Sequence, residues 1–512
     1  MKKTIFKSHH LLFISALGYT YLFWLQNLGI NLFLFSCIMT FIAAIKFKIN
    51  LKKSAILITL VGTLISGIMM LFLNSDTSKF AHIISFFIFL GFALHPEIKS
   101  IQYSILNTLS NYASSFSIAF STFKEENNLN TDRIEKVFYY VRLIVIPIVF
   151  LGIFYIIYSF SNDKFSELSN HFWNHVTDAI AQIFETLSVG EIFFFITGLI
   201  ICGGVIYRNK YSAAAKLESG KSEILIRKRR SIFNYGYSMN ALLMEYKMAV
   251  ILLILVNTLL LIVNGLDIRW VWFGFSFEGN QNLSKYVHEG TYLLIISILL
   301  SMALIIYYFR RNLNFIKHIK TLRILANLWM LQNIILTISV AIRNYHYIEY
   351  YALAYKRIGV IIFLILTVVG LLTMFFKINN FKSTYFLIKI NSLAVYVMMI
   401  LMSCISWDEL IINYNLNHTS KAGFDVDFCF ELSPKAIPVI LCNLSVIEAQ
   451  LDKNNATPMF AYQTNSITKF KEQIYFKAAN FINEQETLGW QSWNYMDSKT
   501  LAQIKKYYET NH

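Results

Sequence analysis

"ILANLWMLQNIILTISVAIRNYHYIEYYALAYKRIGVIIFLILTVVGLLTMFF" (Ile324–Phe376) sets two apolar runs on either side of a polar, tyrosine-rich centre. As one helix it would extend about 80 Å at 1.5 Å per residue. The hydrocarbon core of a bilayer is only about 30 Å thick. Burying Arg343, Lys356 and Arg357 at mid-membrane would cost roughly 2.5–3.5 kcal/mol for each. The stretch therefore predicts two membrane-crossing helices joined by a compact corner at an interface. Neither Gly nor Pro interrupts it from Arg343 to Ile358, so helix should run up to that corner.

The rest of the chain follows the same pattern. Of 512 residues, 56% are hydrophobic and 15% charged, against about 25% charged in a soluble protein. Apolar runs of about 17–21 residues recur, the length that crosses a bilayer. They do not alternate as barrel strands do. The expected fold class is all-α: a polytopic transmembrane helical bundle of about eleven spans with a small C-terminal α-helical domain. The spans are read at Leu11–Leu25, Ile30–Ile45, Ser54–Leu73, Phe80–His95, Tyr139–Phe160, Glu191–Tyr207, Tyr246–Leu266, Thr291–Phe309, Ile324–Ile342, Arg357–Phe376 and Ile390–Ile405. Residues 1–10 are then an N-terminal tail, 11–405 the membrane domain and 406–512 the C-terminal domain. The N-terminus resembles a signal peptide, but "ALG" (Ala16–Gly18) is a poor cleavage site, so an uncleaved first span is expected.

Charge sets the expected direction. The net charge is +15, yet Ser406–His512 carries 9 Lys/Arg against 12 Asp/Glu. The expected inner segments hold 28 Lys/Arg and the outer loops 7. This asymmetry predicts an inner-membrane protein with the N-terminus cytoplasmic and the C-terminus extracytoplasmic. A basic excess confined to membrane loops is a topology signal, so no nucleic-acid partner is expected. The expected partners are the lipid bilayer and anionic headgroups at the inner face. "IRKRRSIFNYGY" carries Arg227, Lys228, Arg229 and Arg230. It reads as a headgroup anchor or, more sharply, as a docking site for a cytoplasmic protein. A second inner segment, Ile98–Phe123, is rich in Ser and Asn and reads as an interfacial helix.

On the outer side, Ser161–Gly190 spaces its apolar residues like an amphipathic helix. His171, His175 and Asp178 resemble a metal triad on paper, but no zincin pattern accompanies them, and no metal or cofactor is expected. In the C-terminal domain, Ser433 before Pro434 reads as an N-cap. Lys469–Phe481 and Ser498–Tyr508 read as helices. Cys37, Cys202 and Cys404 lie in spans as small packing residues. Cys429 and Cys442 lie in the outer domain and form the candidate disulfide.

Long motifs then carry a resemblance. "LFWLQNLGINLFLF", "GFALHPEIKSI", "HEGTYLLIISILL", "LANLWMLQNIILTISVAIRNYHYIEYYALAYKRIGV" and "SWDELIINYNL" resemble the uncharacterised bacterial membrane proteins grouped as domain of unknown function 4173, related to the 4153 group. The resemblance covers the membrane part and reaches "DVDFCFELSPKAIPVIL". It implies a polytopic inner-membrane location and no activity.

The tyrosine-rich corner has two readings. Tyrosines at headgroup depth form an aromatic belt, with cations snorkelling to phosphates. Alternatively, cations on the outer side form a ligand site with the "HEG" corner. Its residues are His288, Glu289, Arg343, His346, Glu349, Tyr350, Tyr351, Lys356 and Arg357. His and Glu suit acid–base chemistry, and Arg with Tyr suits phosphate or sugar. No P-loop, nucleophile elbow or zinc motif accompanies them. Asn257, Asn264, Gln332 and Asn333 are the main deep polar residues, suited to a pathway or to helix–helix hydrogen bonds. A transport-related protein or a membrane scaffold or sensor is expected, with a membrane enzyme on a lipid-linked or anionic substrate as the alternative. Oligomeric state is not legible in the sequence.

Overall fold

The computed structural model describes residues 7–127, 143, 147, 150–181, 188–227, 241–273, 283–310, 312–418, 424–456 and 467–511. The membrane part runs α1 (Ser8–Phe23), α2 (Ile30–Phe47), α3 (Ser54–Leu73), α4 (Asp76–Leu94), α5 (Ile101–Asn127), α6 (Phe150–Ser161), α7 (Asp163–Ala181), α8 (Val189–Ile206), α9 (Ala213–Ser219), α10 (Ala241–Asp267), α11 (Leu283–Tyr308), α12 (Ile319–Tyr351), α13 (Tyr355–Asn379) and α14 (Thr384–Ser403). Then come α15 (Trp407–Asn417), α16 (Phe428–Glu431), α17 (Ile437–Cys442), α18 (Leu444–Ala456), α19 (Ile467–Thr487) and α20 (Tyr495–Asn511). Among the described residues the sole β pairing is an isolated bridge between Ile224 and Lys382.

Seven helices are long and apolar enough to cross a membrane: α2, α3, α4, α10 with its π-helical extension to Trp272, α12, α13 and α14. The eleven expected spans include these seven and the helices α1, α8 and α11. The remaining one, Tyr139–Phe160, lies largely outside the described residues, and α6 is its described end. Large apolar side chains cover the outside: Phe41, Ile45, Leu255 and Leu259 are all more than 60% exposed. In water such a surface would be a liability; against acyl chains it costs nothing. Small residues sit between helices instead. Thr59, Gly62, Thr63, Ser66 and Gly67 make the buried face of α3, against Ser78, Ala81, His82 and Ser85 of α4. A Cβ at Gly62 would overlap the Tyr396 hydroxyl, so only glycine lets α14 approach.

The tyrosine-rich corner turns in three residues. α12 continues for 33 residues to Tyr351, and α13 starts at Tyr355. Ala352 makes the turn with φ 69°, a left-handed conformation that Cβ disfavours.

Hydrogen bonds sort the connections onto two ends. At one end, the turns after α1, α3 and α12 meet the C-terminal helices. Ile30 N donates to Trp493 O at 2.9 Å, Lys435 Nζ to Asn74 O at 2.5 Å and Leu353 N to Asn415 Oδ1 at 2.8 Å. At the other end, Lys53 Nζ donates to Pro96 O at 2.5 Å, His95 Nε2 meets Asn209 O at 2.8 Å, and Leu225 N donates to Phe381 O at 2.8 Å. This second end collects the lysines before α3 and in the α4–α5 and α13–α14 turns, and is called the basic end below.

The helix expected over 98–123 appears as α5, and one face of its Ser, Thr and Asn residues is turned into the bundle. Ser104, Asn107, Thr108, Asn111 and Ser115 follow a helical i, i+3, i+4, i+7, i+11 pattern and are all buried. They donate to backbone carbonyls near the ends of neighbouring helices: Ser104 to Ile88 O at 2.6 Å, Asn107 to Gly91 O at 3.0 Å, and Asn111 to Gly204 O and Tyr207 O at 2.7 and 2.9 Å. Leu106, Leu109 and Phe116 are on the exposed side. Farther along, Glu126 accepts from Ser8 N at 3.1 Å. The helix thus runs beneath α4, α8 and α1 at the basic end.

The C-terminal helices share one core with the α12–α13 corner: Ile348, Leu353 and Ile358 pack with Ile411, Phe470, Ile474 and Ile504. Two expected helices appear with longer bounds, as α19 and α20. Ser433 stands at the N-cap position of a 3-10 turn, Pro434–Ala436, that precedes α17, but its hydroxyl makes no capping bond and donates to Asp408 Oδ2 at 2.7 Å instead. Cys429 is buried in that core and Cys442 is exposed, and both are free thiols.

Candidate functional site

The expected outer cluster is divided among structural tasks. Arg343 Nη2 lies 2.5 Å from Asp267 Oδ1, both side chains 10% exposed, which ties the end of α12 to the end of α10. Arg357 donates from Nη1 to Tyr351 O at 2.8 Å and also to Ala352 O, capping the last carbonyls of α12. Its guanidinium stacks over the Tyr347 ring, 4.5 Å from the centroid. Tyr351 packs against both Tyr347 and Tyr350. His346 and Glu349 approach to 3.8 Å within one turn, while Lys356 is exposed. His288 and Glu289 belong to α11, but their side chains lie outside the described residues. The structure thus brings Arg357 to the tyrosines and Arg343 to an acid that sequence reading did not include. Of the basic inner run, Arg227 is exposed and Lys228, Arg229 and Arg230 lie outside the described residues. His171 is exposed, and the side chains of His175 and Asp178 are likewise not described.

Three of the four deep amides join helices, while Asn333 donates within α12 to Trp329 O at 2.8 Å. Gln332 Nε2 donates to Asn257 Oδ1 at 2.9 Å, and Asn264 Nδ2 to Gln332 O at 3.1 Å, stitching α10 to α12. A second polar seam escaped the sequence reading. His82 Nε2 lies 3.0 Å from Ser36 Oγ of α2, and Nδ1 lies 3.1 Å from Thr63 O of α3. Ser85 Oγ meets the Tyr396 hydroxyl of α14 at 2.5 Å. The available signal was the i, i+4, i+7 spacing of Thr59, Thr63 and Ser66 repeated by Ser78, His82 and Ser85.

A wide concavity lies at the basic end. It encloses about 1020 Å³ between the start of α3, the α4–α5 turn, α9 and the start of α14. Its floor is organised by Glu218, which is 4% exposed. That carboxylate accepts from Lys99 N at 2.8 Å, from the Tyr385 hydroxyl at 2.6 Å and from the Ser100 hydroxyl. A carboxylate at the N-terminus of α5 is favoured by the helix dipole. Five lysines line the cavity: Lys52, Lys53, Lys99, Lys221 and Lys389. Two are engaged, Lys53 with Pro96 O and Lys389 with Glu223 at 2.6 Å. The Lys389 hydrogen bond holds the Glu223 carboxyl below its usual range, and the charges of Lys382 and Lys99 add to this. Lys52, Lys99 and Lys221 are exposed and make no ion pair among the described residues. Ile58, Phe92, Ile390 and Leu393 are the apolar part of the lining. A cationic rim with apolar residues in the same lining suits an amphiphile whose head is anionic.

A family model described as Domain of unknown function (DUF4153) matches residues 10–442. No curated protein and no solved structure matches the chain.

Proposed function

The chain belongs to the DUF4153 family, and because membership brings no activity with it, we propose a function from the basic cavity: an inner-membrane scaffold that holds an anionic lipid by its phosphate headgroup. In this reading the basic end faces the cytoplasm and the C-terminal helices form an extracytoplasmic domain. The observation that carries it is the coexistence of three lysines that make no ion pair among the described residues, Lys52, Lys99 and Lys221, with the apolar residues of one cavity. The lysines would receive the phosphate, and Ile58, Ile390 and Leu393 would lie along the acyl chain. Each lysine near an anionic lipid surface contributes about 1 kcal/mol. Three together amount to on the order of a hundredfold in affinity.

Native mass spectrometry of the purified protein with defined lipids tests this. Phosphatidylglycerol or cardiolipin should be retained over phosphatidylcholine, and Lys52→Gln/Lys99→Gln/Lys221→Gln should lose that preference. Equal retention of the zwitterionic lipid, or an unchanged preference in the triple variant, would overturn the proposal. The scaffold class is placed ahead of an enzyme at the outer corner because Arg343 and Arg357 are already engaged at helix ends. Deep amides bonded helix to helix likewise favour a fixed bundle over a transport pathway.

A further inference from the structure

The helix α7 has 19 residues, enough to cross a bilayer, but Asp163, Lys164, Glu167, Asn170, His171 and Asn174 make it too polar to do so. It stands between two apolar segments. The helix α6 ends at Ser161, Asn162 forms the corner, and α8 begins at Val189. A segment that joins successive spans leaves the membrane and returns to it on one side, so α7 is held at that interface. The side is the one under the C-terminal helices. A Cβ at Gly190, in the first turn of α8, would lie 2.8 Å from the Trp24 ring, and Trp24 packs on Phe194 with centroids 5.4 Å apart. Three residues on, Asn27 N donates to Ser492 Oγ at 2.9 Å.

Local bonds fix how α7 is rolled about its axis. Asn162 Oδ1 accepts from Phe165 N at 3.2 Å, an N-cap that sets the corner. The Tyr155 hydroxyl of α6 donates to Ser169 Oγ at 2.8 Å and accepts from Trp173 Nε1 at 2.9 Å. Phe165 meets the Tyr155 and Tyr158 rings edge-on, with centroids 5.8 and 6.2 Å apart. The row Phe165, Ser169, Trp173 therefore faces α6. Beside that row, Leu168 and Phe172 are 71% and 60% exposed. The opposite side carries Asp163, Glu167, Asn170 and Asn174, all exposed.

We infer that α7 lies in the headgroup layer with Leu168 and Phe172 turned into the acyl boundary, so that the partner of this face is the lipid surface. Continuity with α6 selects lipid over protein, since α6 itself presents Leu151 and Phe160 outward at 69% and 88% exposure. Tyr155 and Trp173 pair their polar tips at the corner, the aromatic arrangement of a membrane interface. A helix of this kind sinks about 5–10 Å into the boundary between headgroups and acyl chains. Asp163 and Glu167 outnumber Lys164, so apolar burial and not attraction to anionic headgroups holds α7 down. The attachment is independent of the basic cavity at the other end.

Electron paramagnetic resonance of the spin-labelled full-length protein in nanodiscs tests it. Leu168→Cys, Phe172→Cys, Asn170→Cys and Asn174→Cys are made one at a time in a Cys404→Ser/Cys442→Ser background, which removes the exposed native thiols. The labelled background alone supplies the correction for the remaining cysteines. All four positions are exposed, so the labels leave the packing of α7 on α6 intact. Labels at 168 and 172 should collide more with oxygen, which concentrates in lipid, than with a water-soluble nickel chelate. Labels at 170 and 174 should show the reverse. The pattern should be the same in phosphatidylcholine discs with and without phosphatidylglycerol. Nickel access at all four positions would stand α7 in water and overturn the inference. Shielding of 168 and 172 from both reagents would do so too, because a protein surface would then cover them. A pattern that forms only with phosphatidylglycerol would replace apolar burial with electrostatic attachment and overturn it likewise.

Discussion

Arg343 shows how far a single residue could be read. Its position at the end of an apolar run was legible, because a cation after such a run cannot sit in mid-membrane; the helix itself continues to Tyr351. Its partner was not, because Asp267 closes a different apolar run, 76 residues away in sequence. Both runs end on the same side of the bundle, and that shared depth was the unused signal. The pair is nearly buried, so the loss of one member leaves an uncompensated charge. Removing one partner of a buried pair costs about 3–5 kcal/mol, whereas replacing both with apolar groups is often neutral. Arg343→Met should therefore lower the thermal unfolding midpoint in detergent strongly, and Asp267→Leu alone should do likewise. The double variant should recover most of the loss. Additive losses in that cycle would show that the two side chains act separately.

At the scale of elements, the apolar helices were legible because twenty-residue apolar runs leave little choice in a bilayer. The helix α5 was legible as a helix, but the partners of its Ser, Thr and Asn residues were not. In the bundle their partners are backbone carbonyls in the last turns of α4 and α8. Polarity in a sequence specifies a need for hydrogen bonds and not who meets it. Asn111 is the strongest case, since it donates to two carbonyls and also accepts from Asn209 N at 2.8 Å. Asn111→Leu keeps the volume and strands all three groups. A loss of about 1–3 kcal/mol is expected, read as a lower unfolding midpoint. Leu109→Ala on the exposed face of the same helix should change it far less. Equal effects at the two positions would place α5 with its polar face outward after all.

For the whole molecule, charge bias and packing are independent lines that agree on alternation. The turns after α1, α3 and α12 gather under the C-terminal helices, and the lysine-bearing turns gather at the other end. Packing alone does not say which end faces the cytoplasm; the positive-inside rule is the ground on which we propose the basic end. Native cysteines allow a test without added reporters. Cys442 is exposed beside the C-terminal core, while Cys429 in that core is 2% exposed. In a Cys404→Ser background, a membrane-impermeant maleimide added to intact spheroplasts should modify Cys442. The signal should vanish in Cys442→Ser, and Cys429 should react only after denaturation. Reactivity that first requires a reductant would instead report a Cys429–Cys442 bridge in the cell. Modification of Cys442 only after lysis would invert the topology. The lysine cavity would then lie on the side where the positive-inside rule places few cations.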